Sequence, residues 1–373
     1  MSTVRIGIIG FGGMGASHAN YLVKNQVPGA ELTAICEGDG ARLKYARENY
    51  GEKIQLFQDA DAFFNSKAFD AVLIATPHYF HPPLAIEAFK HGLHVLTEKP
   101  AGVHPKHVRE MNDAAKKSGK VFGIMFQMRM TGAYQKMHDL VTSGELGALR
   151  RTTCVSTDNF RTQAYYDSGS WRATWSGEGG GVLLNQCPHT LDIWQWLGGM
   201  PSRVRAFCSF GKYHKIEVED DVTAYVEYPN GATGTFVAST GEYPGDTRLE
   251  LCGERGKLAF ERGKLTFWRS RVPVGEHCMT TKNVWSPPET WECNVPYAAG
   301  DGQHHQVFKS FIEGIQKGSA LIARGEEGMN SLQLANAMLL STWTDAWVDL
   351  PVDENLYLAK LQDAIAKSKT TKK

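Results

Sequence analysis

A lysine placed directly after an apolar segment is the first residue of this sequence that could do chemistry. Leu93 to Thr97 is apolar and has the length of a strand, and Glu98, Lys99 and Pro100 follow it. Buried strands of parallel sheets read as continuous apolar runs, and ligands bind beyond the carboxyl ends of such strands. An amine held there can stabilise negative charge on a bound oxygen, although a lysine in solvent is the common alternative.

A second group of polar residues lies in a stretch bounded by glycines, residues 179–199. Three glycines, an apolar periodic segment and a double-glycine stop predict one capped helix. If the stretch is helical throughout, Asn185, His189 and Asp192 share one face. Such a row of polar groups is unfavourable to bury without partners and indicates a site, with a hydrogen-bonded core histidine as the alternative. Pro188 predicts a kink or a delayed start of the helix.

A glycine-rich hexapeptide near the N-terminus predicts where a dinucleotide would bind. Gly10 to Gly15 reads G-x-G-x-x-G, follows the short apolar segment Arg5 to Ile9 and precedes a helical segment. In this context the glycines allow a tight turn and a close approach of the backbone to pyrophosphate. The hexapeptide alone is a weak signal, and its position between a strand and a helix strengthens it.

Two charged residues after the second predicted strand bear on the kind of dinucleotide. Glu37 closes the segment Glu31 to Cys36, where a carboxylate can accept hydrogen bonds from both ribose hydroxyls and repel a 2′-phosphate. Arg42 lies five residues further on and could instead reach a phosphate. We therefore expect NAD to be favoured over NADP.

The order of apolar segments predicts an α/β fold with two domains, as the length of 373 residues also suggests. Strand and helix patterns alternate up to about Gln127, which predicts a parallel sheet with the loops at residues 75–78 and 98–100 on the edge of the glycine turn. Period-2 segments with hairpin turns then predict an α+β domain with a largely antiparallel sheet. The domains are placed at residues 1–126 and 127–373. Later helices are predicted at 132–146, 303–316 and 328–347, and a disordered tail from Lys367.

Charge and cysteine content exclude several classes of protein. The chain has 40 basic and 40 acidic residues, so nothing favours nucleic acid or an anionic membrane as a partner. No signal sequence or apolar run of membrane-spanning length is evident, and we expect a cytoplasmic protein. The seven cysteines are scattered without a C-x-x-C pair, and the histidine pairs lack accompanying ligands, so no metal site is expected.

An aromatic loop upstream of the second polar group could contact a sugar. Tyr165, Tyr166, Trp171, Arg172 and Trp175 crowd one short segment. Aromatic rings can stack on the apolar face of a sugar, and Arg172 could reach a phosphate or a ribose. A plain hydrophobic lid would explain the same composition.

In order and spacing, these motifs resemble the glucose-fructose oxidoreductase / inositol dehydrogenase (Gfo/Idh/MocA) family over nearly the whole chain. The motifs are the glycine turn followed by His18-Ala19, Ala75-Thr76-Pro77 with His81, Glu98-Lys99-Pro100, and the glycine stretch with Asn185, His189 and Asp192. The resemblance implies an N-terminal Rossmann domain and a C-terminal substrate-binding domain whose open sheet forms a homodimer or homotetramer. It also implies a nicotinamide cofactor and oxidation of a secondary alcohol on a sugar or cyclitol, with Lys99 and His189 as catalytic groups.

With this resemblance we assign binding residues at the glycine turn, the strand ends and the aromatic loop. The cofactor set is Gly10, Phe11, Gly12, Gly13, Met14, Glu37, Arg42, Thr76, Pro77, His78, His81, Glu98, Lys99, Trp171 and Arg172. The substrate set is Lys99, Gln127, Arg129, Tyr166, Asn185 and His189.

Two positions depart from the family's pattern. Inositol-dehydrogenase-like members have an aspartate where this chain has Asn185, and an asparagine is usual where it has His78. Asn185 cannot take up a proton, which puts a proton relay through that position in doubt. The Trp-Arg pair and the Gly-Gly-Gly-x-Leu-x-Asn-Gln pattern resemble the branch that oxidises C3 of hexosides and nucleotide sugars, which favours a sugar 3-dehydrogenase over an inositol dehydrogenase.

Oxidation of an alcohol requires a base for its proton and a cation for the developing alkoxide. We assign His189 as the base, Lys99 as the cationic partner and Asn185 as an orienting group, and an exchange of the first two roles is also consistent with the sequence. Two rival functions use the same motifs. One is a glycoside-cleaving enzyme that oxidises C3 with bound NAD and later reduces it back, and the other is a non-catalytic sensor of sugar or NAD.

Overall fold

The computed structural model describes residues 2–300 and 302–368 and divides the chain into two compact units. Unit 1 comprises Met1–Met130, Gly177–Gly179 and Gly302–Leu332. Unit 2 comprises Thr131–Ser176, Gly180–Asp301 and Gln333–Lys373. The end of the tail predicted to be disordered, residues 369–373, lies outside the described residues.

Unit 1 is built on a parallel sheet whose strands follow one another in the doubly wound order. The strands are β1 (Val4–Ile9), β2 (Ala30–Cys36), β3 (Gln55–Phe57), β4 (Ala71–Ile74), β5 (His94–Thr97) and β6 (Phe122–Ile124). Their order in the sheet is β3-β2-β1-β4-β5-β6, and each described neighbour pair is parallel. This order reverses direction between β1 and β4, and such a reversal opens a crevice for a ligand at the carboxyl ends of the strands. The predicted Rossmann fold is confirmed.

Helices connect these strands and recur later in the chain. They are α1 (Gly13–Val23), α2 (Gly40–Tyr50), α3 (Ala60–Asn65), α4 (His81–Lys90), α5 (Pro105–Ser118), α6 (Gly132–Thr142), α7 (Gln163–Asp167), α8 (Pro188–Gly198), α9 (Val274–Thr280), α10 (His304–Lys317), α11 (Gly328–Thr344) and α12 (Glu354–Lys367). None of the helices in the described part of the chain is long and apolar enough to cross a membrane.

A late helix completes the core of unit 1. Val307, Phe308 and Phe311 on α10 are buried in the same apolar cluster as Ile8 of β1 and Leu96 of β5. The structure therefore differs from the predicted division at 126/127, which placed all later residues in the second domain. The physical reason is that the apolar face of an amphipathic helix does not reveal from sequence which core it will join.

Unit 2 is built on a second, larger sheet. Its strands are β7 (Leu149–Ser156), β8 (Arg203–Phe210), β9 (Glu219–Glu227), β10 (Thr233–Ser239), β11 (Thr247–Gly253), β12 (Gly256–Glu261), β13 (Lys264–Ser270), β14 (Thr290–Asn294) and β15 (Val348–Asp349). The order is β14-β13-β12-β11-β7-β10-β9-β8-β15. Among the described strands of this second sheet only β7 and β10 pair in parallel, so the predicted largely antiparallel sheet is confirmed.

The two faces of this sheet differ in burial. On β8 Val204 and Ala206 are buried, whereas Phe207, on the opposite face, is exposed. On β9 the alternation continues, with Ala224 buried and Tyr225 partly exposed. Because side chains of a strand alternate between faces, one face of the sheet lies in the core and the other stays open.

Several short or late elements were not predicted. The elements not predicted are β3, α3, α7, β13, α9, β14, β15 and α12, of which α7 lies in the segment predicted as an aromatic loop. A strand of three residues such as β3 offers too few positions for a periodic pattern to show. For α12 a signal was available, because the carboxylate of Asp353 accepts hydrogen bonds from the N–H groups of Asn355 and Leu356 as a helix cap.

Arg129, assigned above to substrate binding, is part of the framework of unit 1. Its side chain is 2 % exposed and forms an ion pair with Glu327. The same Nη1 donates to the carbonyl oxygen of Ile322 at 3.1 Å. A buried guanidinium needs such partners because water cannot reach it. These contacts join the turn after β6 to residues 302–332 of the same unit.

We expect Arg129→Met to destabilise the protein by about 1–3 kcal/mol, because it removes the buried donor to the Ile322 carbonyl oxygen and the Glu327 carboxylate. A urea titration followed by circular dichroism measures this loss. Arg150→Met is the matched control, since Arg150 pairs with Glu254 at the surface and should contribute about 0.2–1 kcal/mol. Equal losses in the two variants would contradict the structural role of Arg129.

Candidate functional site

The glycine turn after β1 is imposed by close backbone packing. Gly10 has φ +89°, and a Cβ there would lie 2.7 Å from the carbonyl group of Ala75. A Cβ on Gly15 would lie 2.0 Å from the carbonyl oxygen of Gly10. Side chains are therefore excluded at these two positions. A Cβ on Gly13 would meet no described atom within 4 Å, so this part of the turn faces open space.

A carboxylate closes the turn from the end of β2. The N–H of Phe11 donates to Oε2 of Glu37 at 2.7 Å, and the N–H of Asp39 donates to Oε1 at 3.1 Å. Arg42 lies 4.0 Å from the Glu37 carboxylate and 3.6 Å from that of Asp39. The Arg42 guanidinium is therefore flanked by two acidic groups.

The loop after β4 is fixed by two buried histidines. Nδ1 of His78 lies 3.1 Å from the carbonyl oxygen of Glu178. His81 is fully buried, and its Nε2 and Nδ1 lie 2.7 Å from the carbonyl oxygens of Thr76 and Pro100. Burial lowers the pKa of His81, against the opposing effect of these carbonyl groups. The assigned cofactor residue His81 thus joins the loop after β4 to the loop after β5.

A buried histidine–carboxylate contact holds the backbone before Lys99. Nε2 of His18 on α1 lies 2.7 Å from Oε1 of Glu98, and the N–H of Lys99 donates to Oε2 at 3.2 Å. Burial alone would raise the pKa of Glu98, but the hydrogen bond and charge of His18, with Lys99 and His304 nearby, lower it to about 2. Lys99 itself is half-buried and is followed by a cis bond to Pro100. His18 belongs to the first motif, but no role was predicted for it.

These features fit a nicotinamide dinucleotide. Thr76 Oγ1 is buried and has no hydrogen-bond partner among the described residues, which suits a polar group of a ligand. The turn leaves space at Gly13, at the start of α1, where N–H groups favour phosphate. Glu37 lies where a ribose would bind. Within residues 2–300 and 302–368, no cluster of three or more His, Cys, Asp or Glu side chains could hold a metal ion.

The second polar group is arranged differently from the prediction. The helix begins at Pro188, so Asn185 lies in the preceding turn and does not share a helical face with His189 and Asp192. Proline suits the first position of a helix because its missing N–H would have no partner there. His189 and Asn185 are half-buried, whereas Asp192 is fully buried and accepts a hydrogen bond from Gln195 at 3.0 Å. The delayed start predicted from Pro188 is the arrangement observed.

An acidic residue that was not predicted to have a role, Glu219, shapes the turn before α8. Glu219 is fully buried. Its Oε1 accepts hydrogen bonds from the N–H groups of Gly181 and Leu183 at 2.8 and 3.0 Å. A Cβ on Gly181 would lie 2.0 Å from the carbonyl oxygen of Glu219. The acidic run Glu219-Asp220-Asp221 inside an apolar strand was the available signal.

The aromatic loop contains a hydrogen-bonded cluster. Arg172 Nη1 donates to the hydroxyl of Tyr165 at 2.8 Å, and its guanidinium lies 4.7 Å from the ring of Trp171. Tyr166, assigned to substrate binding, is 1 % exposed. Its hydroxyl donates to Thr240 at 2.8 Å, so Tyr166 belongs to the core of unit 2. The tyrosine next to it, Tyr165, is the half-buried one.

The remaining assigned residues lie at the surface of this framework. Met14 on α1 is partly exposed. Pro77 follows Thr76 and precedes a short 3-10 turn at His78–Phe80. Gln127 is half-buried in the 3-10 turn Gln127–Met130 after β6. The binding roles of these three residues remain predictions.

Comparison with known proteins places the chain in a family. The model for an oxidoreductase family with an NAD-binding Rossmann fold matches residues 4–126, and that for the GFO/IDH/MocA C-terminal domain matches residues 134–259. The chain is 26% identical over 371 residues to a D-glucoside 3-dehydrogenase of Escherichia coli (strain K12), covering 94% of this chain and 98% of that protein. An inositol 2-dehydrogenase of Corynebacterium glutamicum (strain R) is 35% identical over 198 residues, 53% of this chain and 55% of that protein.

Solved structures agree with this fold. A WlbA dehydrogenase from Chromobacterium violaceum, in complex with NADH and UDP-GlcNAcA, is 27% identical with a TM-score of 0.81 over 95% of this chain and 97% of that one. A levoglucosan dehydrogenase in complex with NADH and L-sorbose is 22% identical with a TM-score of 0.76 over 95% of this chain and 100% of that one, and shows the same fold. The chain is an NAD-binding oxidoreductase of the Gfo/Idh/MocA family.

Proposed function

We propose that this protein oxidises a secondary hydroxyl, at C3, of a sugar, glycoside or nucleotide sugar by hydride transfer to NAD⁺. The observation that carries this proposal is the placement of Lys99, two residues beyond the end of β5 on the sheet edge that also holds the glycine turn. The substrate class rests on similarity over almost the whole chain to a D-glucoside 3-dehydrogenase. The likeness to a dehydrogenase solved with NADH and UDP-GlcNAcA also supports it.

The chemistry of the step assigns roles to three side chains. NAD, when bound, supplies the acceptor for the two electrons and the hydrogen of the carbinol carbon. His189 takes the hydroxyl proton, and Lys99 holds the oxygen and stabilises its developing negative charge. Asn185 orients the hydroxyl. The exchanged assignment, with Lys99 as the base, uses the same two residues.

The carboxylate of Glu37 favours NAD over NADP. The Glu37 carboxylate accepts hydrogen bonds from the N–H groups of Phe11 and Asp39, and these bonds hold it at the end of β2. A 2′-phosphate beside this anion would be repelled. Arg42, the residue that could attract such a phosphate, lies between the carboxylates of Glu37 and Asp39 and is already balanced by them.

Inositol oxidation is the second candidate function. The relative named as an inositol 2-dehydrogenase is the more similar one by identity, at 35%, although the alignment covers 53% of this chain. The same fold and the same Lys99 and His189 would serve a cyclitol. Asn185 is the residue that argues for a sugar instead, because inositol-dehydrogenase-like proteins have an aspartate at this position.

The open face of the second sheet is the proposed oligomer interface, forming a homodimer or a homotetramer. Register pairs Arg205 with Tyr225, so Phe207 and Tyr225 lie on one face. Phe207 is 62 % exposed and Tyr225 is 40 % exposed. Exposed aromatic side chains on a sheet face are typical of subunit contacts. The expected cytoplasmic location completes the proposal.

Mixing the purified protein with NAD⁺ and a panel of hexoses, glycosides, nucleotide sugars and inositols should produce NADH and a 3-keto sugar. Absorbance at the NADH band and product analysis by mass spectrometry follow both products. Oxidation of inositols alone would support the second candidate. Glycoside cleavage without NADH would indicate the redox-neutral enzyme, and cofactor or sugar binding without turnover would indicate a sensor.

In the same assay Lys99→Ala and His189→Ala should each lower kcat by about 10²–10⁴-fold, the range expected for a group that moves or balances a proton. Lys90→Ala and His91→Ala are the controls, because both residues lie at the end of α4 on the side of unit 1 away from the glycine turn. Unchanged turnover in either site variant would remove that residue from the mechanism.

Glu37→Ser should shift the ratio of kcat/KM for NAD⁺ over NADP⁺ towards NADP⁺ by at least about tenfold, because a hydrogen bond to a carboxylate contributes about 1.5–3 kcal/mol. Steady-state kinetics with both cofactors measures this ratio. Glu48→Ser, at an exposed position on the same helix as Arg42, should leave the ratio unchanged. A ratio that does not move would place the ribose elsewhere.

Phe207→Lys combined with Tyr225→Lys should convert the oligomer into a monomer, because like charges would meet across the proposed interface. Size-exclusion chromatography with light scattering gives the mass in solution. Tyr243→Lys is the control, since Tyr243 is 83 % exposed outside the strands of the sheet. A wild-type monomer, or an oligomer that survives the double substitution, would contradict this interface.

A further inference from the structure

Tyr165 lies at the centre of a polar cluster for which no function has been assigned. Its hydroxyl is within hydrogen-bond distance of Arg172 Nη1 at 2.8 Å, Gln186 Nε2 at 3.3 Å and Asn185 Oδ1 at 3.4 Å. All four residues belong to unit 2. The cluster therefore connects the aromatic loop to the turn that precedes α8.

The number of donor hydrogens determines the direction of the hydrogen bonds in this cluster. A tyrosine hydroxyl has one hydrogen to donate and can accept from other groups, and a guanidinium can only donate. Arg172 and the amide nitrogen of Gln186 both donate to the Tyr165 oxygen. The single hydroxyl hydrogen is therefore left for the Asn185 Oδ1 atom. Its 3.4 Å separation is long, as active-site hydrogen bonds often are before substrate binds.

The ring of Tyr165 is fixed as well as its hydroxyl. The guanidinium groups of Arg161 and Arg172 lie 5.1 and 4.6 Å from its centre, which is the range of cation–π attraction. Its backbone N–H donates to the Thr162 hydroxyl at 3.3 Å at the start of α7. Tyr166, the next residue, packs edge-on against the same ring. A side chain held on all these sides is suited to hold another in one orientation.

We propose that Tyr165 is a positioning residue that sets the hydrogen-bonding direction of Asn185. By donating to Oδ1 it keeps the amide oxygen towards the tyrosine, and the NH₂ group then faces the other way as a donor. The inference rests on the proposed function, which places Asn185 at the substrate hydroxyl. The NH₂ group of Asn185 then donates a hydrogen bond to the substrate oxygen, and the hydroxyl hydrogen remains available to the base.

This direction suits the reaction. The oxygen of a secondary alcohol gains negative charge as its proton departs, and a donor fixed in advance stabilises that charge more than a donor that must reorient. An amide turned the other way would present its oxygen to the alkoxide and repel it. The hydroxyl of Tyr165 thus contributes to the reaction without touching the substrate.

A double-mutant cycle tests the proposal. Tyr165→Phe and Asn185→Ala should each lower kcat/KM for the sugar about tenfold or more, and the double variant should be no less active than Asn185→Ala within about twofold. Tyr228→Phe is the matched control, because its buried hydroxyl contacts Thr152 in the core of the same unit. It should lower the melting temperature without changing kcat/KM. Effects of Tyr165→Phe and Asn185→Ala that multiply would overturn the proposal.

A second variant tests the direction of the amide without altering Tyr165. Asn185→Asp keeps an oxygen towards Tyr165 and replaces the proposed donor by an acceptor. At pH 8 it should lose at least tenfold in kcat/KM, whereas full activity would show that this position accepts and would overturn the inference.

The two proposals fail in different ways. If Asn185→Ala leaves turnover unchanged, the assignment of Asn185 to the substrate in the proposed function is wrong, and the role of Tyr165 falls with it. If Asn185→Ala lowers activity, and Tyr165→Phe either is fully active or has an effect on kcat/KM that multiplies with that of Asn185→Ala, only the role of Tyr165 is wrong.

Discussion

The carboxyl edge of the parallel sheet depends on one buried carboxylate. Glu98 receives a hydrogen bond from the backbone of Lys99 and lies against His18 of the first helix. A charge removed from water is tolerated only while its partners stay in place. The helix that starts at the glycine turn and the strand that precedes the lysine are thereby held in one arrangement. The position of the amine follows from this pair as much as from the strand itself.

The fold could be predicted from the sequence wherever the spacing of residue types is compatible with one local structure. A G-x-G-x-x-G turn between strand and helix, and apolar runs alternating with helical patterns, leave little choice but a doubly wound sheet. The contacts at Gly10 and Gly15 show why those glycines cannot be replaced. The start of α8 could also be predicted, because a proline such as Pro188 can begin a helix but is unfavourable in its interior.

What sequence could not supply was the identity of distant partners. Arg129 has the type and position of a ligand-binding residue, but Glu327, which pairs with it, lies 198 residues away. Tyr165 and Tyr166 are identical in type and adjacent, and only their surroundings separate a core residue from a half-buried one. Glu219 presented the same difficulty, because the acidic run marks its position but the N–H groups that it binds lie 36 and 38 residues away.

The discontinuity of unit 1 has a consequence during synthesis. The strands from β1 to β6 leave the ribosome long before residues 302–332, which supply α10 and part of the core. At about 5–20 residues per second, roughly 10–40 s separate the emergence of β6 from that of α10. Through this interval the apolar surface that α10 will cover is open to chaperones and to other nascent chains. The dinucleotide-binding unit is therefore the first to be started, and it is completed only after most of unit 2 has been translated.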